Sequence, residues 1–196
     1  METASHRTRT IVITAALSAL ILVLAFFTPL GYLQITPGLA ISFLCIPVAV
    51  GAVMEGPVVG MILGLVFGFT SYTQAFGKDV FCTVLNNIHP LYTMLMCLVP
   101  RILTGLITGL AFRGLDKLPI RNTVAGGISC FICSLSNTVL FCSAFALNVY
   151  LCDYQTAQIL PILLSILTLN SLIEAIVCTL VGTACISALF LAYHRK

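Results

Sequence analysis

The sequence predicts an all-α integral membrane protein, a bundle of six transmembrane helices. Charged residues make up 8% and hydrophobic residues 60% of the 196 residues, and the mean hydropathy is +1.12. Soluble domains carry about 25% charged residues. The length suits about six crossings of roughly 20 residues each. Long unbroken apolar runs exclude the alternating pattern of a membrane β-barrel, and helices are then the structure that satisfies the backbone in lipid.

Turn residues divide the chain into six apolar runs within one membrane domain, residues 1–196. The predicted helices cover about 11–27, 41–54, 58–72, 91–112, 122–149 and 171–192. Residues 28–40 are expected to form an uncharged loop, Glu55-Gly56-Pro57 a tight turn and residues 73–90 a polar loop.

The last apolar stretch, residues 158–193, is too long for one crossing of roughly 20 residues. Pro161 interrupts it early. We therefore expect a half-helix or a packed loop as an outer segment over about 159–169, followed by the sixth helix.

The cationic residues lie almost entirely on one side of this arrangement. Lys78 falls on the other side. The positive-inside rule places the richer side in the cytoplasm, so both termini are expected there, in a multi-pass membrane protein. The residues on that side are Arg7, Arg9, Arg113, Lys117, Arg121, Arg195 and Lys196.

Two charged residues, Arg101 and Glu174, lie inside apolar stretches. A charge at bilayer depth costs on the order of 3 kcal/mol or more, so such residues usually pair or meet a polar ligand. Asn137 lies near the middle of the fifth helix, and Asn170 shares a helix face with Glu174 four residues on. If these helices converge, the four residues form a polar pocket.

Two interpretations of the pocket stay open. Arg101 and Glu174 form a buried ion pair that holds the helices in register, or they bind a solute between them. The guanidinium offers a fixed fork of donors that suits a carboxylate or a phosphate. Glu174 can accept hydrogen bonds from hydroxyl or amide groups.

Polar and aromatic residues surround the predicted outer loop. Three interpretations stay open for them. They form a lid over the pocket, they belong to a solvent-exposed loop surface, or their aromatic rings are anchors at the membrane interface. These residues are Tyr72, Gln74, Asn86, His89 and Tyr92.

Small residues recur every four positions on three helices. This spacing lets helix backbones approach closely. Internal packing is the default interpretation, and a gliding surface for a moving partner is the alternative. The residues are Gly56, Gly60, Gly64 and Gly68, then Gly105 and Gly109, and also Ala15 and Ala19.

The nine cysteines do not indicate a metal site. Most lie in apolar runs and are interpreted as small buried hydrophobes. Cys130-x-x-Cys133 has no histidine or acid nearby in the sequence. Cys82 and Cys152 lie in predicted outer loops and could pair, but sequence does not give their distance.

The sequence lacks the motifs of several enzyme activities. The chain has no phosphate-binding G-x-x-x-x-G-K-[ST] loop, no G-x-S-x-G and no H-E-x-x-H. It offers no basic face for nucleic acid, and no cofactor or metal is predicted. A membrane enzyme that uses Arg101 and Glu174 for acid–base chemistry stays as an alternative, although no nucleophile accompanies them.

The chain resembles the substrate-binding S components of energy-coupling factor (ECF) vitamin transporters, most closely the pantothenate type. The resemblance covers nearly the whole chain. It rests on six predicted helices and on Ala15-x-x-x-Ala19, the block 46–52 before Glu55-Gly56-Pro57, Gly60, the blocks 64–68 and 99–105, Ser136-Asn137-Thr138 and Glu174-Ala175. Ile173 stands where the pantothenate type has proline.

The resemblance implies a transport subunit rather than an enzyme. Such a subunit binds a vitamin from outside, docks through the small-residue face of its first helix onto a membrane scaffold subunit that carries two ATPases, and topples to release the vitamin inside. The expected substrate is pantothenate, with another vitamin or a modified base as alternatives. The implied substrate-binding residues are Arg101, Asn137, Asn170, Glu174, Tyr72, Gln74 and His89, and the implied docking residues are Ala15 and Ala19.

Overall fold

A computed structural model describes residues 2–28, 31–36, 39–78, 80–151 and 160–193 of the chain. Within them, side chains are described except at 2–6, 33–41, 80–81, 160–170 and 193. These ranges contain seven helices and one β-hairpin. The elements are α1 (Glu2–Phe27), β1 (Leu33–Thr36), β2 (Leu39–Ile41), α2 (Cys45–Glu55), α3 (Pro57–Gln74), α4 (Val80–Ile88), α5 (Pro90–Leu115), α6 (Asn122–Leu151) and α7 (Leu160–Tyr193).

Five helices in the described ranges are long and apolar enough to cross a membrane. The five spans cover 7–27, 57–74, 90–115, 122–151 and 171–192. A multi-pass helical membrane protein is therefore confirmed. Helix α2, with 11 residues, is apolar but shorter, so a sixth crossing and the side of the termini stay predictions.

Helices α3 and α5 pack backbone to backbone along glycines. A Cβ atom at Gly60 would collide with the carbonyl oxygen of Gly105, and one at Gly64 with the carbonyl oxygen of Arg101. A Cβ atom at Gly68 would lie 2.9 Å from the Cα atom of Leu98. These glycines therefore serve internal packing, the default interpretation of their spacing.

Gly56 does not belong to this glycine face. It lies between α2 and α3 with φ of 97°, a left-handed conformation that glycine adopts without strain. Pro57 then begins α3, where its missing N–H costs no helical hydrogen bond. The tight turn predicted at 55–57 is thus a real break between two helices.

Two predicted loops contain regular structure. Within 28–40, β1 pairs antiparallel with β2, with Leu33 opposite Ile41. Pro37-Gly38 between the strands is a turn dipeptide in the sequence. Within 73–90, α4 buries Cys82 and Leu85 on one face. The prediction of a polar loop there was wrong because the apolar residues of this segment recur with helical spacing and bury one face of a short helix.

The last predicted boundary was also wrong. Helix α7 runs unbroken from Leu160 to Tyr193. Residues 160–169 are therefore helical, as one of the two alternatives expected, but they are continuous with the sixth helix. Pro161 falls at the second residue of this helix, where a missing N–H is harmless.

The buried core forms two clusters. The larger joins α1, α2, α3, α6 and α7 around Ile21, Val48 and Phe67. The smaller joins α3, α4, α5 and α6 around Met96 and Phe145. The buried charged and amide side chains lie beside these two clusters.

Candidate functional site

Arg101 is buried in α5, with 6% of its surface exposed. Its Nη1 donates a hydrogen bond to the carbonyl oxygen of Met96 at 3.3 Å. That carbonyl has no helical donor, because the residue four positions on is Pro100, which lacks an N–H. The side chain of Arg101 thus replaces the missing main-chain donor.

Two aromatic rings on neighbouring helices contact the guanidinium of Arg101. Its Cζ lies 4.2 Å from the ring centroid of Phe141 on α6 and 5.5 Å from that of Phe67 on α3. Such cation–π contacts stabilise a desolvated cation. The Nε of Arg101 has no hydrogen-bond partner and is buried, so one donor of the fork is still available to a ligand.

Glu174 is buried in α7, with 7% of its surface exposed. Its Oε1 accepts a hydrogen bond from the thiol of Cys45 at 3.3 Å. The main chain at Ser42 also lies beside this carboxylate. The carboxylate therefore faces the start of α2.

Arg101 and Glu174 do not form an ion pair with each other. Both side chains are nevertheless buried in the same bundle. Neither charge is therefore neutralised by the other in this structure. Of the two interpretations drawn from the sequence, the closed ion pair is absent from this structure.

Two buried polar atoms of α6 lack partners. They are Oδ1 of Asn137 and Oγ of Ser134. Asn137 is 7% exposed and Ser134 is fully buried. A buried polar atom without a partner costs about 1–3 kcal/mol. With Nε of Arg101, these atoms offer an acceptor, a hydroxyl and a donor that a polar solute could satisfy.

An open cavity of about 560 Å³ lies near the loop end of α3. Gln74, one of the predicted lid residues, lines it and is buried. The cavity also contacts Phe26, Tyr32 and Lys78. The ammonium of Lys78 lies 5.8 Å from the ring centroid of Phe26.

Tyr32 connects the hairpin to α3. Its hydroxyl lies 3.1 Å from the hydroxyl oxygen of Thr70. Burial raises the pKa of Tyr32 above its ordinary value, so the hydroxyl keeps its proton over the whole neutral range. The contact fixes the hairpin above the cavity.

The other predicted site residues lie further out. Tyr72 is half-buried and makes an edge contact with Phe76, with ring centroids 5.3 Å apart. His89 is exposed between α4 and α5, 5.3 Å from the ring of Tyr92. The side chain of Asn170 lies outside the described residues, as does Cys152, so the proposed Cys82–Cys152 pairing stays a prediction.

Ala15 and Ala19 are exposed on α1. The span of α1 is the least buried of the five, at 11%, whereas that of α3 is 56% buried. The predicted docking residues therefore lie on a helix that leaves most of its surface available to lipid or to another protein.

Sequence reasoning missed several residues of the site. Cys45 was interpreted as a buried hydrophobe, but its partner Glu174 is 129 residues away in sequence. Phe141 lies four residues after Asn137 and therefore on the same face of α6, a spacing that signals proximity. Among the described residues no group of three or more His, Cys, Asp or Glu side chains could hold a metal ion.

The family comparison identifies the class of protein that this fold and site define. The family described as "ECF transporter, substrate-specific component" matches residues 9–185. The chain therefore belongs to this family and is the substrate-specific subunit of an ECF transporter. A member of this family is a transport subunit, so the alternative of a membrane enzyme is set aside. No curated protein matches the chain at a significant level.

Proposed function

We propose that this subunit binds pantothenate and delivers it to an ECF transporter. The observation that supports this most is the buried guanidinium of Arg101, which keeps its Nε without a partner in an apolar bundle. Buried charged donors are stable when they are paired. A solute with a carboxylate would complete the pairing.

Pantothenate fits the groups around Arg101. It carries one carboxylate, two hydroxyls and an amide. Arg101 would bind the carboxylate, and Asn137, Asn170 and Glu174 would bind the hydroxyls and the amide. Because Glu174 accepts hydrogen bonds and would repel a second negative charge, a solute with a single carboxylate is favoured over a dicarboxylate.

The cavity beside the hairpin would admit the solute. Gln74 would contact it there, and Tyr72 and His89 would contribute to a lid from the ends of α3 and α5. We propose six crossings, with α2 as the short one, and both termini in the cytoplasm of a bacterial cell. The excess of cationic residues on that side supports the orientation.

We further propose that α1 docks on the membrane scaffold subunit through Ala15 and Ala19. Both are exposed, and small residues let a partner helix approach closely. The scaffold and two separate ATPase subunits would supply the ATP-driven step, since this chain has no phosphate-binding loop motif.

Titration of the purified subunit with pantothenate tests the substrate. We expect heat of binding with the natural chain and its loss with Arg101→Ala. If the natural chain does not bind pantothenate, the substrate assignment is wrong. Mass spectrometry of solute retained on the purified protein would then identify the vitamin or modified base that it carries.

A further inference from the structure

Helix α1 contacts the rest of the bundle through an apolar part and a polar part. Towards its C-terminal end, Ile21 and Ala25 are buried in the larger core cluster. None of residues 7–20 is buried. Leu17 packs against the same cluster while partly exposed, so the apolar packing of α1 on this cluster lies in its C-terminal half.

The second point of attachment is polar and involves Glu55 at the end of α2. Oε1 of Glu55 lies 3.3 Å from Nη2 of Arg9, and Oε2 accepts a hydrogen bond from the hydroxyl of Thr10 at 2.6 Å. The side chain of Glu55 is 2% exposed, whereas that of Arg9 is 40% exposed. Both oxygens of one buried carboxylate thus contact consecutive residues of α1.

The turn that carries Glu55 is itself fixed to α5. Pro57 packs so closely on Gly109 that a side chain there would collide with it. Nη2 of Arg113 lies 3.1 Å from where a Cβ atom of Gly56 would be. Glu55 therefore connects the N-terminal half of α1 to the closely packed α3–α5 pair.

We infer that Glu55 is a positioning residue for subunit docking: through Arg9 and Thr10 it fixes the N-terminal half of α1, and thereby the angle at which Ala15 and Ala19 meet the scaffold subunit. The two alanines lie between the polar attachment at residues 9–10 and the apolar attachment at residues 21 and 25. This inference rests on the docking role proposed for α1, and it requires no contact between Glu55 and the partner.

The test co-expresses the subunit with its scaffold and ATPase subunits and measures how much complex survives purification in detergent. Glu55→Gln removes the charge but keeps the shape of the side chain. We expect about a ten-fold loss of complex, since the neutral amide loses the charge-assisted contacts of the buried Glu55 side chain with Arg9 and Thr10. Solute binding by the isolated subunit should stay unchanged.

Asp116→Asn is the matched control. Asp116 is exposed and follows α5, on the same side as Arg113 in the predicted topology. Its replacement also removes one negative charge, so complex yield should stay near that of the natural chain. The reversed pair, Arg9→Glu with Glu55→Arg, should recover most of the complex, which a general loss of stability would not allow.

Ala15→Leu separates failure of this inference from failure of the docking proposal. If Ala15→Leu leaves the complex intact, α1 is not the docking helix and the proposed function is wrong at that point. If Ala15→Leu abolishes the complex and Glu55→Gln does not reduce it, the role of Glu55 is wrong. Should Glu55→Gln fail to fold, Thr10→Val removes one hydrogen bond without a charge, and full complex yield in that variant overturns the inference.

Discussion

The guanidinium of Arg101 donates a hydrogen bond to the carbonyl oxygen of Met96, the acceptor that Pro100 leaves without a main-chain donor. One residue removes a helical hydrogen bond and the next replaces it with a side chain. This hydrogen bond directs the guanidinium along its own helix. Its Cζ lies 4.2 Å from the ring centroid of Phe141. Arg101 is thus held in position before any solute arrives, which lowers the entropic cost of binding.

Replacing Pro100 with alanine tests this arrangement. The new N–H would bond to the carbonyl of Met96 and displace the guanidinium. We expect a melting temperature equal to or above that of the natural chain, because proline inside a helix costs about 3 kcal/mol, and a several-fold loss of affinity for pantothenate. Unchanged affinity together with raised stability would contradict a positioning role for this hydrogen bond.

Lysine at position 101 separates charge from geometry. It keeps the positive charge but loses the planar fork and the stacking on Phe141. We expect pantothenate to bind at least about ten-fold more weakly to Arg101→Lys, and not measurably to Arg101→Ala, in calorimetric titrations. Equal affinity of the lysine variant would show that the site uses the charge alone.

The glycine contact between α3 and α5 predicts a large effect of a single methyl group. In Gly105→Ala the new Cβ atom would collide with the carbonyl of Gly60, so the helices must separate. We expect a loss of about 2 kcal/mol or more, in the range of overpacked cores. Gly114→Ala, on the same helix with nothing within 4 Å of the added atom, should be neutral or stabilise by up to about 1 kcal/mol. Thermal unfolding in detergent compares the two.

The contact between Tyr32 and Thr70 predicts coupling between the hairpin and α3. Tyr32→Phe and Thr70→Val each remove one hydroxyl of the pair. The double variant should lose less stability than the sum of the single variants, with a coupling of about 1 kcal/mol, a usual hydrogen-bond contribution. Additive losses would mean that the hydroxyls act independently. The free energy of unfolding, measured for the natural chain, the two single variants and the double variant, completes this double-mutant cycle.

The sequence was a good guide to burial and a poor guide to pairing. Arg101, Asn137 and Glu174 were predicted to lie inside the membrane, and each is buried in the structure. Their polarity among apolar neighbours is a local signal. Whether Arg101 and Glu174 touch depends on how α5 and α7 each pack against α2, which no local pattern encodes.

The elements that sequence reasoning missed share a cause. Helix α4 has only nine residues and β2 only three. A periodic pattern of apolar residues is hard to recognise over so few positions. Gln74 could be placed near the loop end of α3 from its sequence position, but its burial beside the cavity depends on the hairpin across from it. Cys45 could not be linked to Glu174, because that contact forms only when α2 and α7 pack.

The shortness of α2 changes how far a bound solute has to travel. Eleven residues rise about 16 Å, roughly half of the ~30 Å hydrocarbon layer. In the proposed orientation the outer end of α2 is Cys45, which touches Glu174. Above it the chain is non-helical through Ser42, and such backbone persists at membrane depth only inside protein or along a water-filled cavity. In that orientation, a solute that reaches Glu174 along this non-helical segment would have only part of the hydrocarbon layer left to cross.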